Sequence, residues 1–62
     1  MNNQVEQVFE FKVGDSVVVD WDYLAGQRGK VLKAELKQGY QYYLVALPES
    51  ETWLTEESLQ LV

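Results

Sequence analysis

Ten carboxylates, five bases and no histidine or cysteine make up the reactive side chains of this 62-residue chain. The usual general base and the usual soft nucleophile are therefore both absent, and catalysis would fall to carboxylates paired across a cleft that so short a chain hardly encloses. Asp20 and Asp22 flank Trp21. Two carboxylates are too few for Ca2+ or Mg2+, which take about six oxygens or more, so this pair reads as a solvated loop and no metal or cofactor is expected. Aromatic rings are the better signal. Trp21, Tyr23, Tyr40, Tyr42, Tyr43 and Trp53 exceed what a core this small can bury, and strand alternation sends Tyr42 and Tyr43 to opposite faces. Trp21 and Tyr23 in a loop, with Trp53 nearby and Asp20, Asp22, Glu49 and Glu51 around them, suit a basic peptide or a cation held over ring faces. The same rings equally suit completing or capping a small core, or an interface between copies of the chain.

The charge is unevenly placed. Net charge is −5, yet Arg28, Lys30, Lys33 and Lys37 fall on one segment, and beyond Lys37 only acids occur. The net charge repels phosphate backbones at long range, while the basic segment with tyrosines close by is the feature a nucleic-acid-binding module would use. As structure alone, those bases suit a solvent-facing edge strand that resists the addition of a further strand.

The elements that must hold these residues are short. Ser16 to Asp20 reads as a first strand, Trp21 to Gln27 as a loop, Gly29 to Lys37 as a second strand and Gln38-Gly39 as a hairpin turn. The third strand, Tyr40 to Leu47, is dense in residues that pack on a pleated surface. Pro48 to Glu51 turns the chain into a short strand at Thr52 to Leu54. Thr55 to Ser58 forms a single helical turn capped by the Thr55 hydroxyl, and Leu59 to Val62 closes. Gly26 and Gly29 read as a paired-glycine bend, with glycine supplying positive φ. Phe9, Phe11 and Val13 alternate with Glu10 and Lys12, and residues 1–8 read as a flexible tail before a single domain over 9–62. Five short strands predict an all-β fold, a closed or nearly closed barrel with a short 3-10 turn before the last strand. A chain this short buries only about 60% of its unfolded surface, and no cysteine or metal cluster staples it, so tight closure or self-association must stabilise it. No run reaches the roughly 20 apolar residues of a membrane span, and the first residues lack the pattern of a secretion signal. The expectation is a soluble, unprocessed, cytoplasmic protein.

The order Val-Gly-Asp-Ser-Val-Val-Val (13–19), Gly-Gln-Arg-Gly-Lys-Val (26–31), a tyrosine-rich strand, and Trp-Leu-Thr-Glu-Glu-Ser-Leu-Gln-Leu-Val (53–62) resembles the SH3-like barrel superfamily in its prokaryotic, KOW-like form. The closing segment from Glu56 to Val62 is similar to that of photosystem I subunit IV. The resemblance covers residues 13–62 and implies a five-stranded SH3-like barrel. Its members imply different functions: ribosomal and transcription-factor KOW modules bind RNA or protein, the variable chain of ferredoxin-thioredoxin reductase is another member, and type II dihydrofolate reductase is an enzyme whose pore is made by four subunits. That reductase carries Val-Gln-Ile-Tyr where this chain has Glu51-Thr52-Trp53-Leu54. Three readings stand. One is a non-catalytic protein-interaction module that binds another protein through Trp21, Tyr23, Asp20, Asp22 and Trp53. The second is a KOW-like nucleic-acid-binding module using Arg28, Lys30, Lys33 and Lys37. The third is a reductase-like homo-oligomeric enzyme.

Overall fold

A computed structural model describes residues 9–62; the tail expected over 1–8 lies outside the described residues. The chain is all-β. Among the described residues five strands run in order, β1 (Ser16–Val19), β2 (Arg28–Lys37), β3 (Tyr40–Ala46), β4 (Glu51–Thr55) and β5 (Leu59–Leu61), within a residue or so of the ends expected from the sequence. One 3-10 turn, Asp22–Leu24, follows β1, and another, Glu56–Ser58, precedes β5. All neighbouring strands are antiparallel, in the order β4-β3-β2-β1-β5.

That order corrects two expectations. Among the described residues the sheet is open rather than closed, because β4 and β5 end it and no pairing joins them. And the basic strand is an edge over only part of its length: Arg28–Lys30 lie between β1 and β3, whereas from Lys33 to Lys37 β2 pairs with β3 alone. Arg28 and Lys30 therefore protect no edge, while Lys33 and Lys37 flank a side of β2 that, like the outer sides of β4 and β5, has no partner strand among the described residues.

Alternation builds the core. Val17 and Val19 of β1 point inward, as do Val31 of β2, Tyr43 and Val45 of β3, Leu54 of β4 and Leu59 of β5. Branched and aromatic side chains pack well at such half-buried pleated positions. Phe11 and Leu24, from the segments flanking β1, close the two ends of this layer. The alternating Phe9, Phe11 and Val13 do not form a strand. Phe11 is buried, but Val13 stands in solvent, because the chain turns at Lys12–Asp15, where Asp15 accepts the Lys12 N–H on Oδ2 at 2.9 Å.

The two glycines of the expected bend have different tasks. Gly26 has φ +93°, the conformation glycine tolerates, and its N–H donates to the Val19 carbonyl at 2.8 Å. Gly29 is an ordinary strand residue opposite Val17, and it is glycine because the backbone of β3 lies against it: a Cβ there would stand 2.2 Å from the Ala46 carbonyl oxygen. At the far end of β2, Gln38 and Gly39 both have positive φ, the two-residue hairpin turn whose twist matches the flanking strands.

Candidate protein-binding groove

Leu24 fixes the first site. Its buried side chain pins the 3-10 turn into the core, which leaves the preceding Tyr23 79% exposed and Trp21 48% exposed. The loop is tied at both ends: the Val19 N–H donates to the Gln27 carbonyl at 2.9 Å and the Asp20 N–H to the Ser58 carbonyl at 2.7 Å. The second bond holds Trp21 next to the turn that precedes β5. Asp20 is further held by Gln60, whose Nε2 donates to its Oδ2 at 3.2 Å. Trp21 and Tyr23 rings lie 6.4 Å apart, tilted at 53°.

Trp53 comes from the other side. It pairs with Leu44 in β3, and Leu44 pairs with Lys33, so all three share the outer face of the sheet, where Trp53 is 43% exposed. Trp21, Tyr23 and Trp53 together line a hollow of about 390 Å3, completed by Leu24, Thr52, Leu54, Thr55 and Ser58. A second hollow of about 450 Å3 shares Tyr23, Leu24 and Thr52 with the first and runs on past Gln27 to Pro48, Glu49 and Ser50. The two form one groove, with apolar and aromatic walls, hydroxyls along its length and acids around it: Asp20 and Asp22 beside Trp21, Glu49 at the far end. The sequence thus named three of its walls. It missed Leu24, Thr52, Leu54, Thr55 and Ser58, which enter through strand register rather than through their chemistry.

Thr55 departs from its expected part. Its hydroxyl caps no backbone N–H and instead lies 3.1 Å from the Ser58 hydroxyl, so both are engaged at the groove wall. Among the described residues, no three acidic side chains gather as a metal would require.

The basic strand carries a feature that alternation alone does not predict. In a regular strand Arg28 and Lys30 would face opposite to Lys33 and Lys37. The register with β3 instead skips Leu32, pairing Val31 with Val45 and Lys33 with Leu44. This β-bulge reverses the side-chain sense, so all four bases emerge on the outer face, in rows with Tyr40, Tyr42, Leu44 and Trp53. Lys37 Nζ sits 5.9 Å above the Trp53 ring, and a hollow of about 620 Å3 there is bordered by Lys37, Gln38, Tyr42 and Trp53. Trp53 is therefore a shared wall, with the acid-rimmed groove on one side and the basic face on the other.

Beneath the groove a buried hub sets the position of the turn that carries Ser58. The Tyr43 hydroxyl donates to Glu56 Oε2 at 2.5 Å and accepts the N–H groups of Glu10 at 3.1 Å and Phe11 at 3.3 Å. Glu56 Oε2 also accepts the Glu10 N–H at 2.9 Å. Phe9 and Phe11 pack edge-on against the Tyr43 ring, at 5.9 and 5.2 Å. Burial, followed by the Glu56 carboxylate, pushes the Tyr43 hydroxyl up to about 12. No helix among the described residues is long and apolar enough to cross a membrane. Set beside protein-family models, characterised proteins and solved structures, the chain finds no match, and its functional reading rests on these residues.

Proposed function

We propose that this chain is a non-catalytic protein-interaction module, an accessory or regulatory subunit on an SH3-like scaffold, which binds another protein in the groove between Trp21, Tyr23 and Trp53. The observation that carries this reading is the convergence of three solvent-exposed rings on one groove, although they come from a loop and a distant strand. Exposed large aromatics are costly to leave in water and are the residues that most often dominate protein interfaces. The antiparallel order of five strands, with a 3-10 turn between β4 and β5, supports the SH3-like scaffold.

Replacing Trp21 and Tyr23 together by alanine should weaken partner capture from the native cell extract by at least about 30-fold, the loss of one strong interface anchor or more. The thermal unfolding midpoint should stay where it is, because neither ring is buried. Undiminished capture by the double variant would refute the groove, and loss of folding would return the rings to the core.

A second reading has its own support in the Leu32 bulge, which brings Arg28, Lys30, Lys33 and Lys37 to one face among exposed aromatics. On that reading the face binds single-stranded nucleic acid, with an affinity that falls steeply as salt is added. A titration with RNA and DNA at low salt that produces no change removes it.

A further inference from the structure

The groove follows the backbone of a strand whose outer side has no partner among the described residues. Thr52, Trp53, Leu54 and Thr55 line it as four consecutive residues of β4, and β4 ends the sheet. In an antiparallel pair, successive residues turn their backbone groups alternately toward the partner strand and away from it. The Leu47 N–H donates to the Ser50 carbonyl at 2.8 Å, which sets the phase: Thr52 and Leu54 bond to β3, while Glu51 and Trp53 direct their N–H and C=O outward. Among the described residues, the backbones of Glu51 and Trp53 make no hydrogen bond outside the sheet. Trp21 and Tyr23 line the same hollow as Thr52, Trp53, Leu54 and Thr55 of β4, which makes a channel between the rings and the strand.

We infer that this channel receives an extended segment of a partner protein, which adds to β4 as a sixth strand and carries lysine or arginine at alternate positions. The inference rests on the reading of the groove as a protein-binding site and adds the mode of recognition. Backbone bonds to Glu51 and Trp53 supply affinity that is independent of sequence, and the alternate side chains supply the choice of partner. The choice falls on cations because Glu49 lines the far end of the groove, Asp20 and Asp22 flank Trp21 in the chain, and Trp21, Tyr23 and Trp53 offer ring faces on which an ammonium or guanidinium is attracted. A second copy of this chain is a poorer occupant, since its own open strand β4 contains Glu51 and no base.

A capped hexapeptide of alternating lysine and valine tests this when titrated into isotopically labelled protein and followed by amide NMR. The Trp53 amide should shift and gain protection from solvent exchange, together with shifts at Trp21 and Tyr23. N-methylation at alternate residues should weaken binding at least tenfold in one phase and leave it unchanged in the other, because a strand presents only every second N–H to its neighbour. The glutamate–valine counterpart should not bind. Equal binding by both N-methylated phases would overturn strand addition while leaving the groove as the site. Shifts confined to the Lys33, Lys37 and Tyr42 face, or no shifts at all, would overturn both the strand and its cationic character. A concentration-dependent dimer of the protein alone that protects the Trp53 amide would make the occupant a second copy and overturn the proposal.

Discussion

Gly29→Ala is expected to unfold the protein at room temperature. The added methyl would lie 2.2 Å from the Ala46 carbonyl oxygen, 3.0 Å from the Ala46 carbonyl carbon and 3.0 Å from a Val45 methyl. Two of those atoms are backbone of the neighbouring strand, so relief requires β2 and β3 to move apart where Lys30 pairs with Ala46. Overpacking in a well-filled site costs about 1–3 kcal/mol when side chains can give way, and more when they cannot. A chain of this length holds only about 3–9 kcal/mol of stability, with no disulfide in reserve. Gly26→Ala supplies the control. Its Cβ would meet nothing within 4 Å, but φ is +93°, so its cost is backbone strain alone, about 1–2 kcal/mol. Circular dichroism with urea titration should find the first variant without a folded baseline and the second folded with a lower midpoint. If the two variants lose the same stability, Gly29 is no more than a bend residue.

The contrast between these glycines marks what was legible in the sequence. Both read as positions that need conformational freedom, and for Gly26 that is correct. Gly29 is required by a contact between segments seventeen residues apart, and no local signal records a close approach of backbone to backbone. The strands themselves were legible, because the runs of valine and tyrosine and the Gln38-Gly39 turn are local features. Closure was not, since pairing between β4 and β5 depends on how strongly the sheet coils, which side-chain pattern does not encode.

The site was half legible for the same reason. Trp21, Tyr23 and Trp53 stood out because aromatics in excess of the core must face solvent, and the fold does bring them together. The rest of the groove is made of Thr52, Leu54, Thr55 and Ser58, residue types that signal nothing until register places them along an open edge. The bulge at Leu32 is the opposite case, where counting by two would divide the four bases between faces that one extra residue unites. Register is a property of the pair of strands, so a single strand's sequence cannot disclose the slip.

Alkaline pH should weaken the fold through Tyr43. Its hydroxyl is fully buried, donates to the Glu56 carboxylate and holds its proton up to about pH 12, against 10.0 for the free side chain. The folded state therefore binds this proton more tightly than the unfolded state does. Below pH 10 both states are protonated and the contribution is fully present. Between pH 10 and 12 the unfolded state has lost the proton that the folded state keeps, so stability falls as pH rises, by roughly 3 kcal/mol across the window. Urea unfolding at intervals from pH 9 to 12 should record that decline, and tyrosinate absorbance should show one tyrosine ionising only as the fold is lost. In Tyr43→Phe the decline from this residue should vanish. That variant should also be less stable at neutral pH by about 1–3 kcal/mol, because the Phe11 N–H loses its acceptor and the Glu56 carboxylate one of its two donors. An identical alkaline decline in both proteins would show that the hub does not hold the proton. The consequence reaches the groove, because Glu56 opens the turn that ends at Ser58, and the Ser58 carbonyl anchors the Asp20 backbone beside Trp21. Freed from Tyr43, that turn is held at Glu56 by the Glu10 N–H alone, so Tyr43→Phe should weaken binding in the groove even at neutral pH, although Tyr43 is not itself among the residues that line it.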